Sequence, residues 1–409
     1  MAQQVSQIGA TARLEEFFTQ RIDAHLKDWR KRESFAMYAC GILGDGERKS
    51  MEPIAARACA DPAQVNNVHS KLGYFLGRSV WDDRAVRLEA ARYAIEAVEK
   101  VEPVTAWIID DTGFLKQGAH SVGVQRQYTG SAGKVTNCQV GVSLAVASGA
   151  EHIGVDFELY LPEKWTEDPA LRAEVRIPEE VTFKTKTKLA LDMIVRAVDA
   201  ELPGDIILAD AAYGNSSEFR NTVRALGFEY GVGIQSSTNV IALDRLGRVR
   251  GETMSAFDLV SNAGRKGFRK LTWREGTNAK LSSRFCFRQV KTAHDDGTVL
   301  SEREPLWLVA EWPDGDDKPS KFFLTTLPKR MSRKQIVRLF KERWRTERMY
   351  QDLKGELGLD HFEGRSYPGW HHHISVVLCC YAFVVAERSR ALFPPEKREG
   401  QDHPNTLAA

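Results

Sequence analysis

Three acidic residues stand where metal-assisted chemistry on a phosphodiester would need them. Asp111 closes the apolar run Ala106-Trp107-Ile108-Ile109-Asp110-Asp111, Asp210 closes Ile206-Ile207-Leu208-Ala209-Asp210, and Glu347 lies within a basic segment. Carboxylate oxygens are the ligands that magnesium prefers, and two such ions side by side can activate an attacking oxygen and stabilise a leaving one. In the first two runs the acid appears where hydrophobicity stops, the place at which an open α/β sheet presents its ligands. Either run alone reads more simply as a strand ending in a turn. The pair is what suggests a shared cation.

The third acid is part of a pattern. From Ser332 to Leu357 no Pro or Gly intervenes before Gly355, which predicts one basic helix. Within it Phe340, Arg343, Glu347 and Lys354 are spaced F-x2-R-x3-E-x6-K. On an α-helix these four fall within an arc of roughly 60°, with Glu347 and Lys354 about 10 Å apart along the axis. One face thus carries a carboxylate between two cations: the acid suits a metal ion, and Arg and Lys suit substrate phosphates. An ordinary Arg343/Glu347 pair at i, i+4 accounts for part of the same pattern, worth about 0.3–0.5 kcal/mol.

The order IDDTGF, then ILADAAYG, then FKERWRTERMYQDLKGELGLDHFEGR resembles the DDE transposases of bacterial insertion sequences, in particular the insertion sequence 701 family. That family belongs to a broader group with a Y-x2-R-x3-E-x6-K signature. The resemblance runs from about Glu47 to Trp370 and includes QYTGSAGKVTNCQVGVSLA; it is weak at both ends of the chain. Phe340 departs from the group's Tyr and lacks its hydroxyl. The resemblance implies that Asp111, Asp210 and Glu347 are the catalytic metal ligands and that Arg343, Lys354 and the Phe340 ring contact DNA. Asp110 competes with Asp111, because alternation along a strand puts them on opposite faces; the family pattern places the acid directly before Thr, which favours Asp111.

Further expectations follow from the resemblance. The cofactor is a pair of Mg2+ ions, with Mn2+ as a substitute. The partners are the terminal inverted repeats of the element and target DNA, both double-stranded, with a homodimer in the DNA complex and no membrane. The reaction is cleavage at the transposon ends and joining of the 3′-hydroxyls to target DNA. A nuclease of the same fold that does not join strands, or a catalytically silent DNA-binding regulator, are the alternatives.

These residues need a scaffold. Residues 1–100 read as helices, at Ala10–Arg32, Arg48–Ala60, Gln64–Val80 and Asp83–Glu99. This is either a domain binding DNA ends, with Asn66, Asn67, Tyr74 and Trp81 outward, or a bundle covering the catalytic part. From 101 to 235 the pattern is strands at 104–111, 137–147 and 152–161, a helix at 186–200, a strand at 205–210, a helix at 215–226 and a strand at 228–234. That is the order of an α/β, RNase H-like mixed sheet with flanking helices. Residues 236–304 read as an inserted, mainly-β, basic domain: from Val240 to Lys291 there are twelve Lys or Arg against four Asp or Glu. Trp273 there is a candidate for stacking on a DNA base. Residues 305–390 complete the core with the Glu347 helix, and 391–409 form a tail expected to be disordered.

Composition is permissive: 409 residues, 43% hydrophobic, 27% charged, net charge +2. The chain suffices for several domains, and its charge alone does not announce a nucleic-acid binder. Six cysteines without a C-x2-C pair and without a leader suggest a reduced, cytoplasmic protein, at the nucleoid if it acts on DNA. Ile374–Ala386 is too short to span a bilayer and reads as a buried helix. TGSAGKV at 129–135 fails the phosphate-loop spacing. His371-His372-His373 point in different directions on a helix and make a poor zinc site.

Overall fold

The computed structural model describes residues 2–275, 280–293 and 305–392. Of the expected tail, 391–392 end a helix and the rest lies outside the described residues, as do parts of the basic segment.

The chain opens with helices α1 (Ala2–Phe17), α2 (Asp23–Leu26), α3 (Trp29–Leu43), α4 (Met51–Ala58), α5 (Val65–Gly77) and α6 (Asp83–Val98). The single helix expected over Ala10–Arg32 is broken. Phe18–Ile22 forms a π turn, Lys27 turns left-handed at φ 52°, and the Asp28 side chain then caps α3 through the Arg30 N–H. Asp82 likewise caps α6 through the Ala85 N–H at 3.0 Å.

The core follows as β1 (Val104–Leu115), β2 (Gln125–Thr129), β3 (Lys134–Ser148), β4 (His152–Tyr160), α7 (Glu163–Glu167), α8 (Pro169–Val175), α9 (Lys186–Asp199), β5 (Ile206–Ala209), α10 (Ala211–Gly214), α11 (Ser217–Ala225) and β6 (Glu229–Ile234). The basic segment gives β7 (Asn239–Leu243), β8 (Val249–Ser255), α12 (Ala256–Ser261), β9 (Arg269–Glu275) and β10 (Lys280–Thr292). The chain ends with β11 (Leu306–Trp312), β12 (Lys321–Thr325), α13 (Arg333–Glu342), α14 (Trp344–Gly355) and α15 (Tyr367–Leu392).

This is a mixed α/β protein of RNase H-like type. Among the described residues, twelve strands share one sheet in the order β2-β3-β1-β5-β6-β12-β11-β10-β7-β8, with β4 on β3 and β9 on β10. The strands of the basic segment therefore extend the central sheet through β11 and β12. β1 pairs antiparallel with β3 and parallel with β5.

Both faces of β1 and β5 are covered, which is why these strands read as unbroken apolar runs. Ala106, Ile108, Ile206 and Leu208 belong to a cluster with Ile336, Val337 and Phe340 of α13. Trp107, Ile109, Ile207 and Ala209 belong to the main core with α9, α11 and α15.

α15 is long and apolar enough to cross a membrane by length and composition, yet it is almost entirely buried inside the protein. It is the seat of the N-terminal helices: the Tyr38 hydroxyl bonds His373 Nδ1 at 2.9 Å, and buried Arg87 reaches Ser375 Oγ at 2.8 Å. Trp81, expected at the surface, is buried between Phe75 and His372, stacked on the latter at 4.1 Å. Tyr74 is exposed. The three adjacent histidines have separate partners: the carbonyl of Tyr367 for His371, that of Leu76 for His372, and those of Gly358 and Leu359 for His373.

Candidate active site

The parallel register sets Ile108 beside Leu208 and Ile109 beside Ala209. Asp110 and Asp210 are the next residues on their strands, so they stand side by side where β5 ends. Asp210 caps α10: its Oδ1 accepts the Ala212 N–H at 2.8 Å. That turn lies against β6 so closely that a Cβ on Gly233 would come within 2.9 Å of the Ala211 nitrogen, which explains the glycine there.

Burial raises the Asp210 carboxyl above its ordinary range; the Asp111 charge adds to this, while Arg343 opposes it. Asp110 is pushed up to about 7, chiefly by burial, with the charges of Asp210 and Asp111 adding and Arg343 again opposing. Two neighbouring carboxyls that resist ionisation form a site lacking positive charge. The side chains supply part of it.

Arg343 sits in the turn between α13 and α14. Its Nη1 donates to Asp110 Oδ2 at 2.8 Å, and its Nη2 lies 3.5 Å from Glu347 Oε1. Asp110 Oδ1 accepts the Asp111 N–H at 2.8 Å, so both oxygens of Asp110 are engaged. Glu347 is the most open of the acids, its side chain 63% exposed.

Asp111 turns to the opposite face of β1. There its Oδ2 meets Lys186 Nζ of α9 at 3.1 Å and accepts a 3.4 Å hydrogen bond from the Tyr213 hydroxyl of α10. Lys186 and Tyr213 were not singled out from sequence. Tyr213 lies within the quoted ILADAAYG motif and Lys186 starts a predicted helix, but no local pattern links either to Asp111.

Asp110, Asp210, Arg343 and Glu347 thus come together, and Asp111 adjoins them from the other side of its strand. Among the described residues no three His, Cys, Asp or Glu side chains are close enough to enclose a metal ion. The donor set nevertheless suits a hard divalent cation: it consists of carboxylate oxygens, and Arg343 and Lys186 supply positive charge beside them.

The helix expected over Ser332–Leu357 is two helices. A capping box of Ser332 and Gln335 starts α13, and at Arg343 the Thr346 N–H bonds back three residues to the Arg343 carbonyl at 3.1 Å, dividing it from α14. Lys354 is turned inward, donating to Thr112 Oγ1 at 2.9 Å and to the Gly113 carbonyl at 2.7 Å. Burial lowers its pKa.

Two expected DNA contacts are placed elsewhere. Phe340 is 6% exposed, stacked on Phe323 at 4.7 Å and pressed against Gly231, so it fills the core. Trp273 is half-buried; Lys341 Nζ lies 4.6 Å from the centre of its ring and the Phe285 ring meets it edge-on. Lys341 in turn pairs with buried Glu311 at 2.7 Å. The indole is a strut between β9 and α13, not a free stacking platform.

Residues 21–280 match a family model described as DDE superfamily endonuclease, and residues 181–383 match one described as transposase DDE domain. A relative from Microchaete diplosiphon, described as the probable transposase for insertion sequence element IS701, is 29% identical over 239 residues. That match covers 58% of this chain and 57% of the relative, so the chain spans little more than half of that protein's length.

Proposed function

This chain belongs to the DDE superfamily of endonucleases, and from that premise we propose that it is a transposase of the insertion sequence 701 type. In this reading it hydrolyses the phosphodiester at each end of its element to free a 3′-hydroxyl, then transfers that hydroxyl to target DNA, as a homodimer once two ends are paired. The observation that carries the proposal is the meeting, around Arg343, of Asp110 on β1 and Asp210 at the end of β5 with Glu347 of α14.

Asp111, Asp210 and Glu347 would hold two Mg2+ ions, with Mn2+ as a substitute. The bound metal would polarise the scissile phosphate and favour the deprotonated form of the attacking oxygen. Asp111 suits exchange of partners because only one of its oxygens is engaged. Asp110, with both oxygens held, suits the role of anchor for Arg343. When substrate enters, its phosphates compete for Arg343 and Lys186, and transfer of those cations to DNA frees carboxylate oxygens. Lys354, bonded to Thr112 and Gly113, keeps α14 in place beside β1.

One observation favours Asp110 as the first ligand instead: Arg343 joins Asp110, not Asp111, to Glu347. Both assignments are tested with a labelled duplex carrying the element's end, in Mg2+. Single replacement of Asp111, Asp210 or Glu347 by Ala should abolish cutting and leave end binding largely intact. Cutting retained by Asp111→Ala but lost in Asp110→Ala would move the role to Asp110. Cutting without joined product would make the protein a nuclease, and no cutting by the wild type would leave a DNA-binding regulator.

A further inference from the structure

The sheet ends at β2, and this edge bears side chains that neither the fold nor the proposed chemistry uses. Tyr128 is 62% exposed and Val135, directly across the β2–β3 hairpin, is 54% exposed. Arg126 and Lys134 are exposed and, among the described residues, have no salt-bridge partner. An open edge strand with an aromatic ring at its surface invites wrong pairing, so proteins normally cover it or give it a use.

The register shows which way these residues face. Tyr128 pairs with Val135 and Arg126 with Asn137; farther along β3, Gly141 pairs with Thr112 and Ser143 with Asp110. Paired residues share a face, and alternate residues of a strand share a face. Arg126 and Tyr128 therefore project from the same side of the sheet as Asp110 and Thr112, the side on which Lys354 meets Thr112.

The hairpin is also held firmly. Ser131 in its turn accepts the Gly113 N–H at 3.1 Å, meets the Thr112 hydroxyl at 3.1 Å, and lies 3.5 Å from Lys354 Nζ. A Cβ on Gly113 would collide with the Thr129 side chain, so glycine there lets the hairpin close on β1 two residues past Asp111. A rigid arm rooted beside the acids presents the Tyr128 ring and the Arg126 cation on one face, with Lys134 turned to the other. That is the combination that grips nucleic acid: a cation for phosphate and a flat face for a nucleotide.

We infer that the β2–β3 hairpin is a DNA-gripping arm, in which Arg126 holds a backbone phosphate beside the cleaved bond and Tyr128 packs against the adjoining nucleotide. This deepens the proposed function and rests on it. The exposure of these residues allows replacement without disturbing the core.

The test uses the full chain and a fluorescent duplex carrying the element's end with flanking DNA. Tyr128→Ala should weaken binding about tenfold and Tyr128→Phe hardly at all. Arg126→Ala should lower the slope of log affinity against log salt by about one. A photo-crosslinking residue at position 128 should attach to nucleotides next to the cut. Unchanged affinity in Tyr128→Ala, Arg126→Ala and their combination, with normal cutting, would overturn the arm and leave the transposase reading intact. Crosslinking to a second protein chain instead of DNA would also overturn it. Weakened binding in these variants of a protein that never cuts would uphold the arm and refute the proposed function.

Discussion

Arg343 donates from Nη1 to Asp110 Oδ2 at 2.8 Å, which fastens the turn between α13 and α14 to the strand that carries the paired aspartates. Arg343→Ala leaves a buried carboxyl without its cation and should destabilise the protein by about 3 kcal/mol in urea unfolding. Adding Asp110→Asn to that variant should restore most of the loss. Additive effects of the two changes would show that the pair contributes nothing.

Divalent metal should stabilise the DNA-free protein. A cation that binds the folded state alone adds about 2.7 kcal/mol at a concentration of a hundred times its Kd. Thermal unfolding with Mg2+ or Mn2+ should therefore shift upward in the wild type and much less in Asp210→Asn. Equal shifts in both would place the metal elsewhere.

Acid should loosen the helical layer on α15. Burial pushes His152, His372 and His373 down from 6.5 to about 4, so all three are neutral when folded. Below pH 6.5 the unfolded chain takes up these protons first, so this stability is complete above that pH and declines as pH falls towards 4. His372→Phe keeps a ring on Trp81 and removes one titrating group; its unfolding midpoint should fall less steeply than that of the wild type across this interval. Parallel curves would mean that His372 is not buried neutral.

Trp273→Ala should act on folding first. Loss of the strut between Phe285 and Lys341 should cost about 2 kcal/mol of stability, with DNA affinity changed only as far as folding is. A variant of full stability that fails to bind ends would return the indole to a stacking role.

The sequence was most legible where local signals decide the outcome. The helix expected at 186–200 runs Lys186–Asp199, and the strand expected at 152–161 runs His152–Tyr160. β5 stops at Ala209, so Asp210 closes its apolar run as expected, whereas β1 runs past Asp111 to Leu115 with Thr112, Gly113 and Phe114 still buried. The break at Arg343 was not legible, since neither Gly nor Pro marks it. The resemblance implies a DNA contact for the Phe340 ring, whereas its apolar surface is better satisfied against Phe323. Lys186 and Tyr213 meet Asp111 only through tertiary packing, and the pairing of β10 with β11 is equally non-local.

The continuity of the sheet sets a limit on how this chain can be taken apart. β11 rests on β12 on one side and on β10 on the other. Excising 236–304 to obtain a minimal catalytic fragment would strip β7 to β10 away and bare the hydrogen-bonding groups of β11 along with apolar side chains now buried. Such a fragment should aggregate through that raw margin, so trimming has to spare the ladder even where it discards the loops.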